Sequence, residues 1–155
     1  MSPAYVKSNG YTQTSDLCHD GDLQTWCGAD NVQHPFLVLV FPVTHVYKVL
    51  LVNRYSDNYN EATRKVVRER INGAKVDLMN GEDQIKSCGT VSTDTEKETL
   101  WLDCGATGTA IRISVERIEY LNLGEVVIYT LGNFQKFTIA KYFNLNTEMS
   151  IQVEA

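Results

Sequence analysis

At 155 residues with 43% hydrophobic side chains, the chain is about one domain long and can bury a core without a metal cluster or a dense disulfide framework. Its net charge of -5, with no cluster of Lys and Arg interleaved with aromatic residues, argues against a nucleic-acid surface. The one basic run, Arg64 to Arg70, is broken by Val66, Val67 and Glu69.

The first feature in chain order is "LCHDGDLQTWC", Leu17 to Cys27, in which acidic residues, a Thr and a Gly sit between two cysteines. A calcium ion takes about six to eight oxygens from carboxylates, hydroxyls and backbone carbonyls on a tightly turning loop, and this stretch has all three kinds. Asp-Gly-Asp is equally a common turn, and the spacing is not that of an EF-hand. Runs rich in Val, Ile, Leu, Tyr and Phe follow, each bounded by turn residues: "PFLVLVF", "HVYKVLLVNR", "GAKVDLM", "TLWLDC", "TAIRISV" and "EVVIYTL". In "AKVDLM", Ala74, Val76 and Leu78 face one way and Lys75 and Asp77 the other, as a half-buried antiparallel strand requires. Only "NEATRKVVRERI" has a helical pattern. With no strand–helix–strand alternation and no fixed repeat, the pattern predicts an all-β antiparallel sandwich with functional loops at one end.

The tail from residue 133 to 155 holds two further strand-like runs, "KFTIAKYF" and "MSIQVEA", which either extend the sandwich or pair with another chain. The four cysteines form two local pairs, Cys18 with Cys27 and Cys88 with Cys104, neither with the spacing of a zinc ribbon. Two disulfides and an oxidising compartment are expected, with four reduced cysteines in a cytosolic protein as the alternative. No stretch reaches the ~18 to 20 apolar residues that span a bilayer, and "MSPAYVKSNGYTQTS" lacks a signal peptide's apolar run, so secretion implies a leader already removed. For catalysis, the three histidines come with no GxSxG, HExxH or phosphate-loop motif, and a non-enzymatic role is expected.

Taken together, "TQTS" and "CHDGDLQTW", then "PFLVLVF", "VYKVLLVNR" and "YLNLGEVVIY", resemble the discoidin or coagulation factor 5/8 type C superfamily, also called galactose-binding-like domains. The resemblance covers about residues 4 to 132. "VLLVNRYSD", the Cys88 and Cys104 pair and "YLNLGEVVIY" are most similar to the F-type lectins, or fucolectins. It implies a jelly-roll sandwich of about eight strands over residues 1 to 132, a structural calcium, and a sugar-binding site for a terminal sugar such as fucose or galactose. The calcium shell it implies is the Leu17 carbonyl, the Asp20 side chain, the Asp22 carbonyl, the Thr25 carbonyl and hydroxyl, the Gly124 carbonyl and the Glu125 carboxylate. Cys18 and Cys27 would staple that loop, and His19 is expected to be an exposed neighbour, since a hard ion prefers oxygen.

The family's sugar motif sets a His far upstream of Arg-x-Asp and a further Arg or Lys, whose planar or directional donors read the ring oxygen and hydroxyls. Arg54 stands at the first Arg position. Counting back places Ala29 at the His position, Asp57 follows Arg54 with one extra residue, and Arg70 stands at the last position after an insertion. The adjacent cysteines that many of these lectins set against the sugar are replaced by "NYNEATRKVV". His34, Tyr55 and Tyr59 are further candidates, the tyrosines as stacking surfaces. Trp26 and Trp101 are expected in the core, and His45 in a structural role. The expected function is a secreted or cell-surface lectin that binds glycans or glycoproteins, gaining avidity from homo-oligomers. The alternative is a protein-protein adhesion module on the same fold, with membrane-surface binding a third reading that the polar loops disfavour.

Overall fold

A computed structural model describes residues 5–6, 10–54, 60–92 and 99–130. Tyr55, Asp57, Tyr59 and the tail from 133 to 155 lie outside the described residues. A two-residue pair, β1 (Tyr5–Val6) and β2 (Thr12–Gln13), precedes a 3-10 turn over Ser15–Cys18. Then come β3 (Cys27–Gln33), β4 (Phe36–Asn53), α1 (Glu61–Glu69), β5 (Lys75–Asn80), β6 (Asp83–Thr90), β7 (Thr99–Ser114) and β8 (Ile118–Thr130). The six longer strands form one antiparallel sheet in the order β3-β8-β4-β7-β5-β6.

Two predicted runs, "PFLVLVF" and "HVYKVLLVNR", are a single strand of 18 residues, and "TLWLDC" and "TAIRISV" are likewise a single strand of 16. Each long strand divides at an irregularity. In β4 the register against β7 jumps between Val40 and Thr44, around Pro42, which has no N–H for a ladder. The first half of β4 and the second half of β7 lie beside β5 and β6, whereas the second half of β4 pairs with β8, which carries β3. Counting these halves separately gives the predicted number of about eight strands. The side chains of both layers meet in one core that includes Leu37, Leu39, Val49, Leu51, Val76, Leu78, Ile111, Ile113, Leu121 and Leu123. Ala74, Val76 and Leu78 are fully buried and Lys75 is exposed, as a strand period of two requires, but Asp77, expected outward with Lys75, is buried at 9% exposure, where it accepts from Gln84 Nε2 at 3.2 Å.

Both cysteine pairs are disulfides, Cys18–Cys27 and Cys88–Cys104. The second ties β6, the outer strand of one layer, to the half of β7 that belongs to the other. No helix among the described residues is long and apolar enough to cross a membrane.

The predicted helix forms as α1. Asn60 caps it by accepting from the Thr63 N–H at 2.9 Å, and Val67 is its buried residue. Its C-terminal carbonyls are met by side chains from β4 and from the bend before β8: Asn53 Nδ2 donates to the Arg68 carbonyl at 2.9 Å, and Arg117 donates to the Arg70 and Asn72 carbonyls at 2.9 and 2.6 Å.

Candidate functional site

The loop from Leu17 to Thr25 turns on its own side chains. Asp20 Oδ1 accepts from the Asp22 N–H at 2.9 Å, and Asp22 Oδ1 accepts from the Gln24 N–H at 2.9 Å, each an Asx turn. Gly21, at φ 78°, takes the left-handed conformation between them. These turns point oxygens at one place. Thr25 Oγ1 lies 2.7 Å from Asp20 Oδ2, 2.8 Å from the Asp22 carbonyl and 3.4 Å from the Leu17 carbonyl. One hydroxyl hydrogen can serve only one of three acceptors, so the remaining oxygens face one another.

Glu125 joins this cradle from the far end of the sequence. It is 3% exposed, and its Oε2 accepts from the Gly21 N–H at 3.3 Å. The strand geometry brings it there. Val52 pairs with Glu125 and Asn53 with Leu123, so Gly124 is an extra residue in β8, a bulge that takes it out of the ladder with β4. The disulfide holds the other side: Cys18 Sγ lies 3.6 Å from the Leu123 carbonyl, and Cys27 is paired with Leu123 across β3 and β8.

Among the described residues no three His, Cys, Asp or Glu side chains cluster as metal ligands. The donor set here is two carboxylates with carbonyls and a hydroxyl, the chemistry of a hard cation rather than of zinc. His19 is half-buried, not exposed as expected. Both ring nitrogens are enclosed without a hydrogen-bond partner, and burial lowers its pKa against the opposing pull of its own backbone and of Asp16 and Asp20. Its neighbour Cys18 is fully buried in the core, which draws the chain at His19 inward.

Arg54 follows β4 at the same end. It is 8% exposed, and its guanidinium lies 3.5 Å from the centroid of the Trp26 ring. Trp26 comes one residue after Thr25 and is buried as expected, but it also serves as the platform for a cation. Its ring lies over Gly28, where a Cβ would come within 2.7 Å of both Trp26 Cζ3 and Asn122 Oδ1. Asn122, at 1% exposure, has no partner for its Nδ2. Sequence reasoning missed Asn122; the one available signal was a polar residue at a buried strand position in "YLNLGE".

The other candidates lie elsewhere. Ala29, at the family's His position, pairs with Leu121 and is fully buried. Arg70 is 3.9 Å from Glu119 and lies over the Tyr120 ring at 4.7 Å. His34 is in the turn after β3, at φ 53°, and its N–H donates to the Arg117 carbonyl. That is the opposite end of β3 from Cys27, roughly 20 Å along a seven-residue strand. The described residues therefore bring Arg54 to the cradle and leave His34 away from it.

The expectation for Trp101 is overturned. It is 55% exposed, because Leu102 and Cys104 take the inward positions of its strand and alternation turns Trp101 outward. His45 lies within β4, its Nδ1 3.2 Å from Thr107 Oγ1.

No protein-family profile and no curated protein sequence matches the chain. Solved structures do. The lectin domain of lectinolysin, complexed with Lewis B antigen, is similar with a TM-score of 0.65 and 15% identity, over 77% of this chain and 86% of that one. A Streptococcus pneumoniae fucose binding module gives 0.64 and 17%, over 82% and 90%. The fucolectin of striped bass serum, from Morone saxatilis, gives 0.64 and 19%, over 83% and 44%. The chain has the galactose-binding-like, or discoidin, fold on which F-type lectins are built.

Proposed function

We propose that this chain is a secreted, calcium-stabilised carbohydrate-binding module that recognises a terminal sugar on glycans or glycoproteins. The observation that carries this reading is the meeting, at one end of the sandwich, of oxygens from Leu17, Asp20, Asp22 and Thr25 with the buried Glu125 carboxylate. The Arg54 and Trp26 stack stands directly beside it. Calcium would be held by those residues with the bulged Gly124 carbonyl. It would neutralise two carboxylates that otherwise repel, and join the loop to β8. Arg54, rigid on its ring, supplies directional donors of the kind that read sugar hydroxyls. The fold supports the reading: it is shared with structures described as fucose-binding modules and as a complex with Lewis B antigen. The two disulfides suit an oxidising, extracellular setting.

Two measurements test it. Chelation with EDTA should lower the melting temperature and added calcium restore it. A glycan array should then give saturable binding that Arg54→Ala abolishes. Silence across the array with capture of a protein partner instead would favour an adhesion module.

A further inference from the structure

The outer face of β7, β4 and β8 carries three rows of side chains fixed by register. Thr99, Val52 and Glu125 form one row, Trp101, Leu50 and Val127 the next, and Asp103, Lys48 and Tyr129 the third. Val126 and Ile128 face the core, so Glu125, Val127 and Tyr129 share the opposite face. On it Trp101 and Tyr129 reach toward each other over β4, their ring centroids 5.2 Å apart. Lys48 and Asp103 border the rings with an ion pair at 3.2 Å, and Asp103 is largely exposed.

We propose that the Trp101 and Tyr129 rings form a second sugar-contact surface, which takes a pyranose further along the glycan whose terminal residue binds at the cradle; this rests on the function proposed above. The chemistry fits a sugar ring, which has an apolar face to lie on an aromatic ring and hydroxyls at its edge. Lys48 supplies donors and Asp103 acceptors at that edge, and an exposed ion pair is worth so little in itself that exchanging it for sugar hydroxyls costs little.

The size of the patch argues against a protein partner. Two aromatic side chains offer about 150 to 250 Å² each, well short of the ~800 Å² per partner of a stable protein interface. The position fits one extended ligand, because Val127 is two residues along β8 from Glu125. The ring platform is therefore within about 7 Å along the strands and ~10 Å across them of the cradle's carboxylate row.

The test is an array of defined glycans, from single-sugar conjugates to branched oligosaccharides, probed with the intact chain, Trp101→Ala, Trp101→Phe and Arg54→Ala. The proposal expects Trp101→Ala to weaken oligosaccharide binding about tenfold, with single-sugar conjugates unaffected and Trp101→Phe intermediate. Equal binding by the intact chain and Trp101→Ala would overturn the platform and leave the cradle reading standing. Loss with Trp101→Ala, but none with Arg54→Ala or EDTA, would keep the platform and overturn the cradle reading. A dimer dissolved by Trp101→Ala in sedimentation would overturn the proposal in favour of self-association. A melting temperature lowered by more than about 5 °C would overturn it in favour of rings packed by the chain itself. No glycan bound by the intact chain would overturn both readings.

Discussion

The two ends of β3 are both surrounded by polar residues, yet they use them in opposite ways. At the end where β3 begins, Asp20, Asp22, Thr25 and Glu125 bring acceptors together with few donors among them. At the end where β3 finishes, donors and acceptors are matched: Arg117 donates to carbonyls after α1, Lys75 Nζ meets Glu116 at 2.6 Å, and Arg70 and Arg117 both approach Glu119. A matched set is complete, whereas the surplus of oxygens is what the proposed calcium would balance. Charge content therefore says less about function than the balance of donors and acceptors in one place.

The largest expected effect breaks the first end by removing its platform. Trp26→Ala should cost about 3 to 5 kcal/mol in denaturant unfolding, as other buried Trp truncations do, and should release Arg54 from its fixed position. A cost below about 1 kcal/mol would mean that Trp26 does not organise the site.

Next comes the cation. With calcium at 100 times its dissociation constant the stabilisation is about 2.7 kcal/mol, and Glu125→Gln should remove most of it while keeping the shape of the side chain. Differential scanning calorimetry with and without calcium reads this directly. An unchanged calcium response in Glu125→Gln would refute the role given to Glu125.

At the opposite end, Arg117→Ala should cost about 1 kcal/mol by leaving helix-end carbonyls to water, and should leave the calcium response and glycan binding as they are. If it altered either, the contrast between the ends would fail.

The smallest effect concerns Lys75 and Glu116, both exposed at that end. The hydrogen bond from Lys75, then its charge, holds the Glu116 carboxyl below its ordinary value, and Glu116 in turn raises Lys75. The Glu116 contribution is thus present above its ordinary pKa and lost as pH falls through the lowered value. In Lys75→Met, the Glu116 titration followed by NMR should move back upward with little change in melting temperature. A titration that stays put would show that the pair is not made in solution.

Much of this was legible in the residues because it depends on local pattern. Alternation in "AKVDLM" placed Val76 and Leu78 inside, and Asn60 with "EATRKVV" marked α1. The long strands were read as separate pieces because a bend at Pro42 has the same signature as a loop: the difference is made by β7, which follows β4 through the bend. Trp101 was misplaced because hydrophobicity alone cannot tell which face of a strand an aromatic residue takes; Leu102 and Cys104 decide it.

The sequence by itself determined an all-β chain with two cysteine pairs, a tightly turning acidic loop and no recognisable catalytic motif, since each of these resides in composition or in neighbours a few residues apart. That Glu125 meets the loop around Asp20 was implied by the family resemblance; only the tertiary structure displayed the contact, and it alone decided that Arg54 lies on Trp26 while His34 is a strand's length away, and that Trp101 faces outward toward Tyr129. Those are contacts between residues far apart in the chain, set by strand register and by a bulge of a single residue at Gly124, and no local pattern encodes them.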